Sequence, residues 1–284
     1  MRSILILSKL TFREAMRRRI MLAGLILGVS FLIIFSMGFH FILTEVRGES
    51  AAAPNQGTAR IAEIEGMNAL LMMGLYAVTF LAIAMAALLG ADTLAGEINS
   101  GTIQTIVTKP IRRADVVLGK WLGFAGLLGL YLLLMAGGVL LSVYFQSGYL
   151  PNHLLRGISL IYLEALLVMT ITLMCSSAFP ALATGGIVFG LYGLAFIGGW
   201  IEQFGSIIQN PTAVKIGIIS SLIIPSEALW KRAAFEMQSP LSGILGMSPF
   251  SAISVPSPLM IFYAVLYLLA ALILSIRIFQ KRDL

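Results

Sequence analysis

Charged side chains are concentrated in one stretch of this sequence, residues 92–120. The stretch contains the acidic residue Glu97 and a basic group that runs from Lys109 to Arg113. It has neither His nor Cys, so the common His- and Cys-based catalytic pairs cannot form within it. Each ionised side chain would cost about 2.5–3.5 kcal/mol at membrane depth. The stretch is therefore predicted to be a loop in water between two apolar segments.

Two other patterns that suggest chemistry fail on inspection. Residues 114–121 end in Gly119-Lys120-Trp121, but they lack the first glycine and the Ser or Thr after the lysine that a Walker A loop requires. The two histidines, His40 and His153, are too few for a zinc-peptidase or haem site. The sequence therefore predicts no catalytic residue, no metal site and no cofactor in this chain.

Glu164 is the one carboxylate predicted to lie well inside an apolar segment. An ionisable residue inside a membrane is by default a functional hypothesis, here a proton site, a cation site or a contact to a polar group of a substrate. The alternative is that Glu164 hydrogen-bonds to a neighbouring helix or lies nearer the interface. The sequence leaves both interpretations open.

The composition indicates which elements must position these residues. Of the 284 residues, 58% are hydrophobic and 11% are charged, whereas about 25% charged is usual in a soluble domain. Several apolar runs reach the roughly 20 residues that a membrane helix needs. We predict a single all-α domain, residues 1–284, that spans a membrane many times. The net charge of +6 arises from cations beside the apolar runs, which favours the positive-inside pattern over nucleic-acid binding.

Six membrane spans are predicted in this domain. Residues 2–18 form an amphipathic helix that is expected to lie in the interfacial plane, although a basic tail is the alternative. Residues 45–66 are predicted to be an outer loop with a short helix near 59–65, and residues 201–255 an outer segment. The approximate limits of the six spans are 20–43, 68–91, 121–145, 154–175, 185–200 and 256–276.

The outer segment contains two short elements. Residues 214–224 are apolar but too short to cross a bilayer, so a half-helix or an interfacial segment is predicted there. A second helix is expected to begin at Ser226, with that residue as its cap, and to lie on the surface. Close helix packing is predicted at three glycine pairs with a spacing of four. They are Gly24 with Gly28, Gly119 with Gly123, and Gly186 with Gly190.

The distribution of cations predicts the orientation. If both termini and residues 92–120 are cytoplasmic, most of the 19 Lys and Arg residues lie on that side, as the positive-inside rule requires. A seventh span at 214–224 would move the basic C-terminus outside. The cytoplasmic set is Arg2, Lys9, Arg13, Arg17, Arg18, Arg19, Lys109, Arg112, Arg113, Lys120, Arg277, Lys281 and Arg282.

The loop has a form that suits docking to a soluble partner. Gly101 and Pro110 break helices, so the apolar-edged segment 102–108 can project from the membrane and insert into a cleft. Seating there would transmit movement of the partner to the two attached spans. The alternative is a solvated connector.

The same stretch resembles the first cytoplasmic loop of ABC-2 type transporter permeases. In that family the pattern is approximately Glu, three residues, Gly-Thr, several apolar residues, Pro, two residues, Arg, and then Gly-Lys. The amphipathic N-terminal segment is similar to the family's elbow helix, and six spans match its number. The matching residues are Glu97, Gly101, Thr102, Pro110, Arg113, Gly119 and Lys120.

The resemblance implies a permease subunit of an ABC transporter, expected to be an exporter in the cytoplasmic membrane with both termini inside. It implies a coupling helix between spans 2 and 3, a P-loop ATPase subunit as partner, ATP and Mg²⁺ on that ATPase, and a second permease. The residues expected to contact the ATPase are Glu97, Gly101, Thr102, Ile103, Ile106, Pro110, Arg113 and Lys120. The alternative is an ATP-independent protein, either a secondary transporter that uses Glu164 as its ion site or a structural subunit of a membrane complex.

Overall fold

The computed structural model describes residues 2–52, 55–99, 112–238 and 254–281. All the regular structure in these ranges is helical. Six helices, α2, α3, α5, α6, α7 and α10, are long and apolar enough to span a membrane. The predicted all-α class and the number of spans are therefore confirmed. The helices are α1 Arg2–Arg17, α2 Arg19–Ala52, α3 Gln56–Ala91, α4 Thr93–Asn99, α5 Arg113–Ser147, α6 Leu154–Ala178, α7 Ala181–Ile207, α8 Pro211–Ile223, α9 Ser226–Met237 and α10 Leu259–Lys281.

The first two membrane helices extend well past their predicted limits. The expected loop over 45–66 is wrong for most of its length, because α2 continues to Ala52 and α3 begins at Gln56. The polar residues there still favour helix, and the Asn55 side chain caps α3 by accepting a hydrogen bond from the Gly57 amide. At 1.5 Å per residue each helix is about 50 Å long, which exceeds a bilayer core of about 30 Å.

The stretch 92–120 is also more helical than predicted. Its first part forms α4, and its last part belongs to α5, which begins at Arg113. Asp115 lies in the first turn of α5, where a carboxylate suits the positive end of the helix dipole. Lys120, expected in water, is buried, with 5% of its surface exposed. The two helices leave only residues 100–112 between them.

The N-terminal helix α1 packs along α5 through glycines. A Cβ at Gly119 would lie 2.6 Å from Leu7 Cβ, and one at Gly123 would lie 2.8 Å from the Ser8 carbonyl oxygen. The prediction of close packing at Gly119 and Gly123 is therefore confirmed. It is also confirmed at Gly24 and Gly28, which face methionine side chains of α3 and α5. It is wrong within this chain at Gly186 and Gly190, where a Cβ would meet nothing within 4 Å.

The segment predicted to be outer contains a bent helix pair among its described residues. The predicted half-helix is present as α8, and α9 follows it at an angle of 108°. However, α9 is not on the surface, because Glu227 and Trp230 are buried. Ser226 is not the cap either, since the cap position is Pro225 and no side chain caps the helix there. The charged residues of α9 suggested solvent exposure, but they find polar partners inside the protein.

Candidate functional site

Most of the predicted contact residues cannot be placed. Gly101, Thr102, Ile103, Ile106 and Pro110 lie outside the described residues. Glu97 belongs to α4 by its backbone, and its side chain is likewise outside the description. Arg113 and Lys120 are described, and both belong to the first turns of α5. The geometry of this site is therefore that of its base, where residues 92–120 leave and rejoin the membrane helices.

A hydroxyl group of α6 fixes the start of the stretch. Ser176 accepts hydrogen bonds from the amides of Leu94, at 3.2 Å, and Ala95, at 3.1 Å. Its hydroxyl donates to the carbonyl oxygen of Ala91, at 3.0 Å. One side chain thus satisfies the last turn of α3 and the first turn of α4 across the break at Asp92. The start of α4 is therefore held by a side chain of α6.

An apolar contact joins the two ends of the stretch. The residues Leu94 of α4, Val116 and Val117 of α5, and Phe279 of α10 are fully or almost fully buried against one another. We call these four residues the base cluster. Leu7 of α1 packs against its edge. The first and last helices of the chain therefore meet where residues 92–120 begin and end.

Polar contacts at the rim hold the same elements. The Arg113 guanidinium donates a hydrogen bond to the carbonyl oxygen of Gln280, at 3.0 Å. Arg18, at the junction of α1 and α2, lies 3.8 Å from the Asp92 carboxylate and pairs with Glu14 at 2.7 Å. These contacts are partly exposed, so each is expected to contribute less than about 1 kcal/mol. Their role is to orient the helix ends around the base cluster.

A second polar site lies halfway along the helices. Glu164 on α6 is completely buried, and neither of its carboxylate oxygens has a hydrogen-bond partner within the described parts of the chain. Glu164 lies near the middle of α6, one of the six helices that are long and apolar enough to span a membrane. Glu164 interacts electrostatically with Glu227 of α9. The Tyr76 hydroxyl of α3 donates a hydrogen bond to Glu227, at 3.3 Å.

A buried ion pair adjoins these carboxylates. The Lys231 ammonium lies 2.8 Å from the Glu202 carboxylate, which also accepts a hydrogen bond from Ser254 at 2.6 Å. Both members of the pair are 5% exposed. The pair joins α9 to α7 and accounts for the burial of a helix that its composition placed in water.

Comparison with known proteins identifies the family. A family model described as ABC-2 family transporter protein matches residues 5–284. This chain belongs to the ABC-2 transporter family. A search of curated proteins found no match. Together with the six membrane-spanning helices, the family identifies the chain as the membrane permease of an ABC transporter.

Several residues of the permease site were missed from the sequence. Ser176 and Phe279 looked like ordinary residues of apolar helices, and no periodicity separates them from their neighbours. Glu227 and Tyr76 were missed because α9 was taken to lie on the surface. The signal available for Glu227 was its position two residues after Pro225, in the first turn of a helix that follows a proline within an apolar region.

Proposed function

We propose that the permease is an exporter subunit driven by separate ATPase subunits that dock on residues 92–120. Two permeases and two ATPases form the working unit, because six helices supply only half of an enclosed pathway. The ATPases carry ATP and Mg²⁺. The chain lies in the cytoplasmic membrane with both termini and the 92–120 stretch on the cytoplasmic side, which the distribution of cations supports.

The observation that carries this proposal is the base cluster. Both ends of the stretch pack against one side chain, Phe279, and Ser176 bonds to the first of them. Because these contacts join α4, α5, α6 and α10, a force applied to residues 100–112 acts on several membrane helices at once. Closure of an ATPase dimer would therefore tilt α3 and α5 together and open the route between two permeases.

The proposal is tested by charging the expected contact surface. Ile103→Asp and Ile106→Asp place a carboxylate in the segment expected to enter an apolar cleft of the ATPase, where an unpaired buried charge opposes binding. We expect the tagged permease to lose its co-purifying ATPase while its own thermal unfolding is unchanged.

A matched control is Ile61→Asp, which makes the same change on the exposed surface of α3 at the opposite end of the molecule. This variant should retain the ATPase. Normal co-purification with both loop variants would contradict docking on residues 92–120.

A second candidate function follows from the burial of Glu164. An unpartnered carboxylate inside the helices is also what a secondary transporter needs for an ion site. In that case transport by the reconstituted permease alone would follow an ion gradient, and Glu164→Gln would abolish it. Transport that requires the ATPase and ATP would exclude this candidate.

A further inference from the structure

An apolar groove opens between α2, α3 and α7 beside the buried carboxylates. Its volume is about 570 Å³, within the range of pockets that bind drug-sized molecules. Tyr76 and Phe196 line it, and their rings stack with centroids 6.3 Å apart. The remaining lining residues are Leu27, Ser30, Phe31, Ile34, Met73, Ala77, Phe80 and Leu81.

Tyr76 connects this groove to the acidic residues. Its ring lies in the groove wall, and its hydroxyl donates the hydrogen bond to Glu227. Glu164 is close enough to interact electrostatically with both Tyr76 and Glu227. A molecule in the groove therefore lies against the ring whose hydroxyl contacts Glu227.

The charges around these carboxyl groups do not balance in the described ranges. Glu227 and Glu202 both interact with one ammonium group, that of Lys231, whose short contact is to Glu202, whereas Glu164 interacts with Glu227. Glu164 has no hydrogen-bond partner there. Burying a carboxylate without a cation or a hydrogen bond is costly. Three carboxyl groups thus share one ammonium group, and Glu164 in particular would be stabilised by a further cation.

Aromatic rings surround the same point. The Tyr76 ring centroid lies 4.8 Å from that of Trp230 and 6.5 Å from that of Trp200. Ring faces attract cations, and most strongly where water is excluded. Carboxylates enclosed by aromatic faces are typical of sites for organic cations rather than for metal ions, which need several oxygen ligands.

We propose that Glu164, Glu227 and the rings around Tyr76 bind the cationic group of an amphipathic organic cation, whose apolar body lies in the groove. This inference names a ligand class for the pathway of the exporter and so rests on the proposed function. The groove supplies apolar contact that any lipophilic molecule finds. The carboxyl groups select the positively charged ones.

The test measures ligand binding without the ATPase. Permease in lipid nanodiscs is titrated with tetraphenylphosphonium, a lipophilic monocation, and quenching of tryptophan fluorescence is recorded. Trp121→Phe leaves Trp200 and Trp230, both beside Tyr76, as the reporters. We expect saturable quenching by the cation at concentrations about tenfold lower than those needed with triphenylphosphine oxide, a neutral compound of similar shape. Equal quenching by the neutral compound would overturn the proposal.

Variants identify the groups responsible. In this background, Glu164→Gln and Glu227→Gln should each weaken binding about tenfold, as loss of one charge-assisted contact does. The matched control Glu63→Gln, beside Arg47 at the far end of α3, should bind normally. Unchanged affinity in both carboxyl variants would overturn the proposal.

A groove variant keeps the test decisive if a carboxyl variant does not fold. Ala77→Leu narrows the groove beside Tyr76 and leaves both carboxyl groups in place. We expect it to weaken binding, and normal binding would overturn the proposal. No ATPase is present in this assay, so a failure to bind the cation does not bear on docking at residues 92–120. A failure of the docking test likewise does not bear on cation binding.

Discussion

Single hydroxyl groups stabilise this permease where its helices break. Ser176 satisfies backbone groups on both sides of the break at Asp92, and the Tyr263 hydroxyl donates to the Leu222 carbonyl at the end of α8, at 2.6 Å. A helix break frees backbone groups that need new hydrogen-bond partners, and a side chain of a neighbouring helix can supply them. Each hydroxyl therefore fixes the place and direction of a break.

Ser176→Ala is expected to destabilise the permease by about 1–2 kcal/mol, the usual cost of losing a helix cap and leaving buried groups unpaired. Thermal unfolding of the purified protein measures this. Ser159→Ala is the matched control, because Ser159 lies on the same helix and its hydroxyl donates to the Leu155 carbonyl of that helix. An equal loss of stability in the two variants would show that Ser176 is not a cap across helices.

Of the polar residues described above, Glu164 was singled out from the sequence and Ser176 was missed, and the difference has a physical reason. Glu164 stood out because a carboxylate in an apolar run is costly and rare. A serine in such a run is neither, since it can bond to the preceding turn of its own helix. Only the position of α4 against α6 shows that Ser176 serves another helix.

At the scale of helices, α1 approaches α5 closely at two glycines. Gly119 and Gly123 lie on one face of α5, and the backbone of α1 crosses them near Ile4 and Ser8. Without side chains at these two positions the helices approach to backbone contact. The N-terminal helix α1 thus packs tightly against α5, and we expect the two helices to move together.

Gly123→Leu is expected to displace α1, because a Cβ there would lie 2.8 Å from the Ser8 carbonyl oxygen and 2.9 Å from Thr11 Cβ. Overpacking of this kind typically costs about 1–3 kcal/mol. Gly137→Leu, on the same helix, meets nothing within 4 Å and is the control. Thermal unfolding compares them, and similar melting temperatures would contradict the packing of α1 on α5.

Hydropathy predicted the helices that cross the membrane but not where they end. It reports the length of an apolar run, and α2 and α3 continue past their runs as polar helix. It also misplaced α9, since Glu227 and Lys231 read as surface residues. Their burial depends on partners on α3 and α7, which are remote in sequence.

At the scale of the whole molecule, the base cluster connects parts of the chain that are far apart in sequence. Leu94, Val116 and Phe279 come from three helices, and Leu7 of a fourth packs against them. The resemblance of residues 92–120 to ABC-2 permeases predicted the family, which is confirmed. It did not predict that the last helix completes the base cluster, because that contact depends on the packing of the assembled bundle.

Phe279→Ala should lower stability by about 3 kcal/mol or more, the cost of a large cavity in a core, and should reduce stimulation of the ATPase by the permease. The matched control is Phe262→Ala on the same helix, where the side chain is 63% exposed. Thermal unfolding and ATPase assays of the reconstituted complex measure the two effects. Full stimulation by the Phe279 variant would contradict transmission through the base cluster.

The presence of Phe279 in the base cluster also determines when the permease can mature. The ribosome produces α1, α4 and α5 long before α10, so Leu7, Leu94 and Val116 are inserted without their final neighbour. The base cluster is thus incomplete throughout biosynthesis and is completed only when α10 enters the bilayer. If an ATPase docks on residues 92–120 as proposed and requires the completed cluster, it would bind finished permeases and ignore nascent ones.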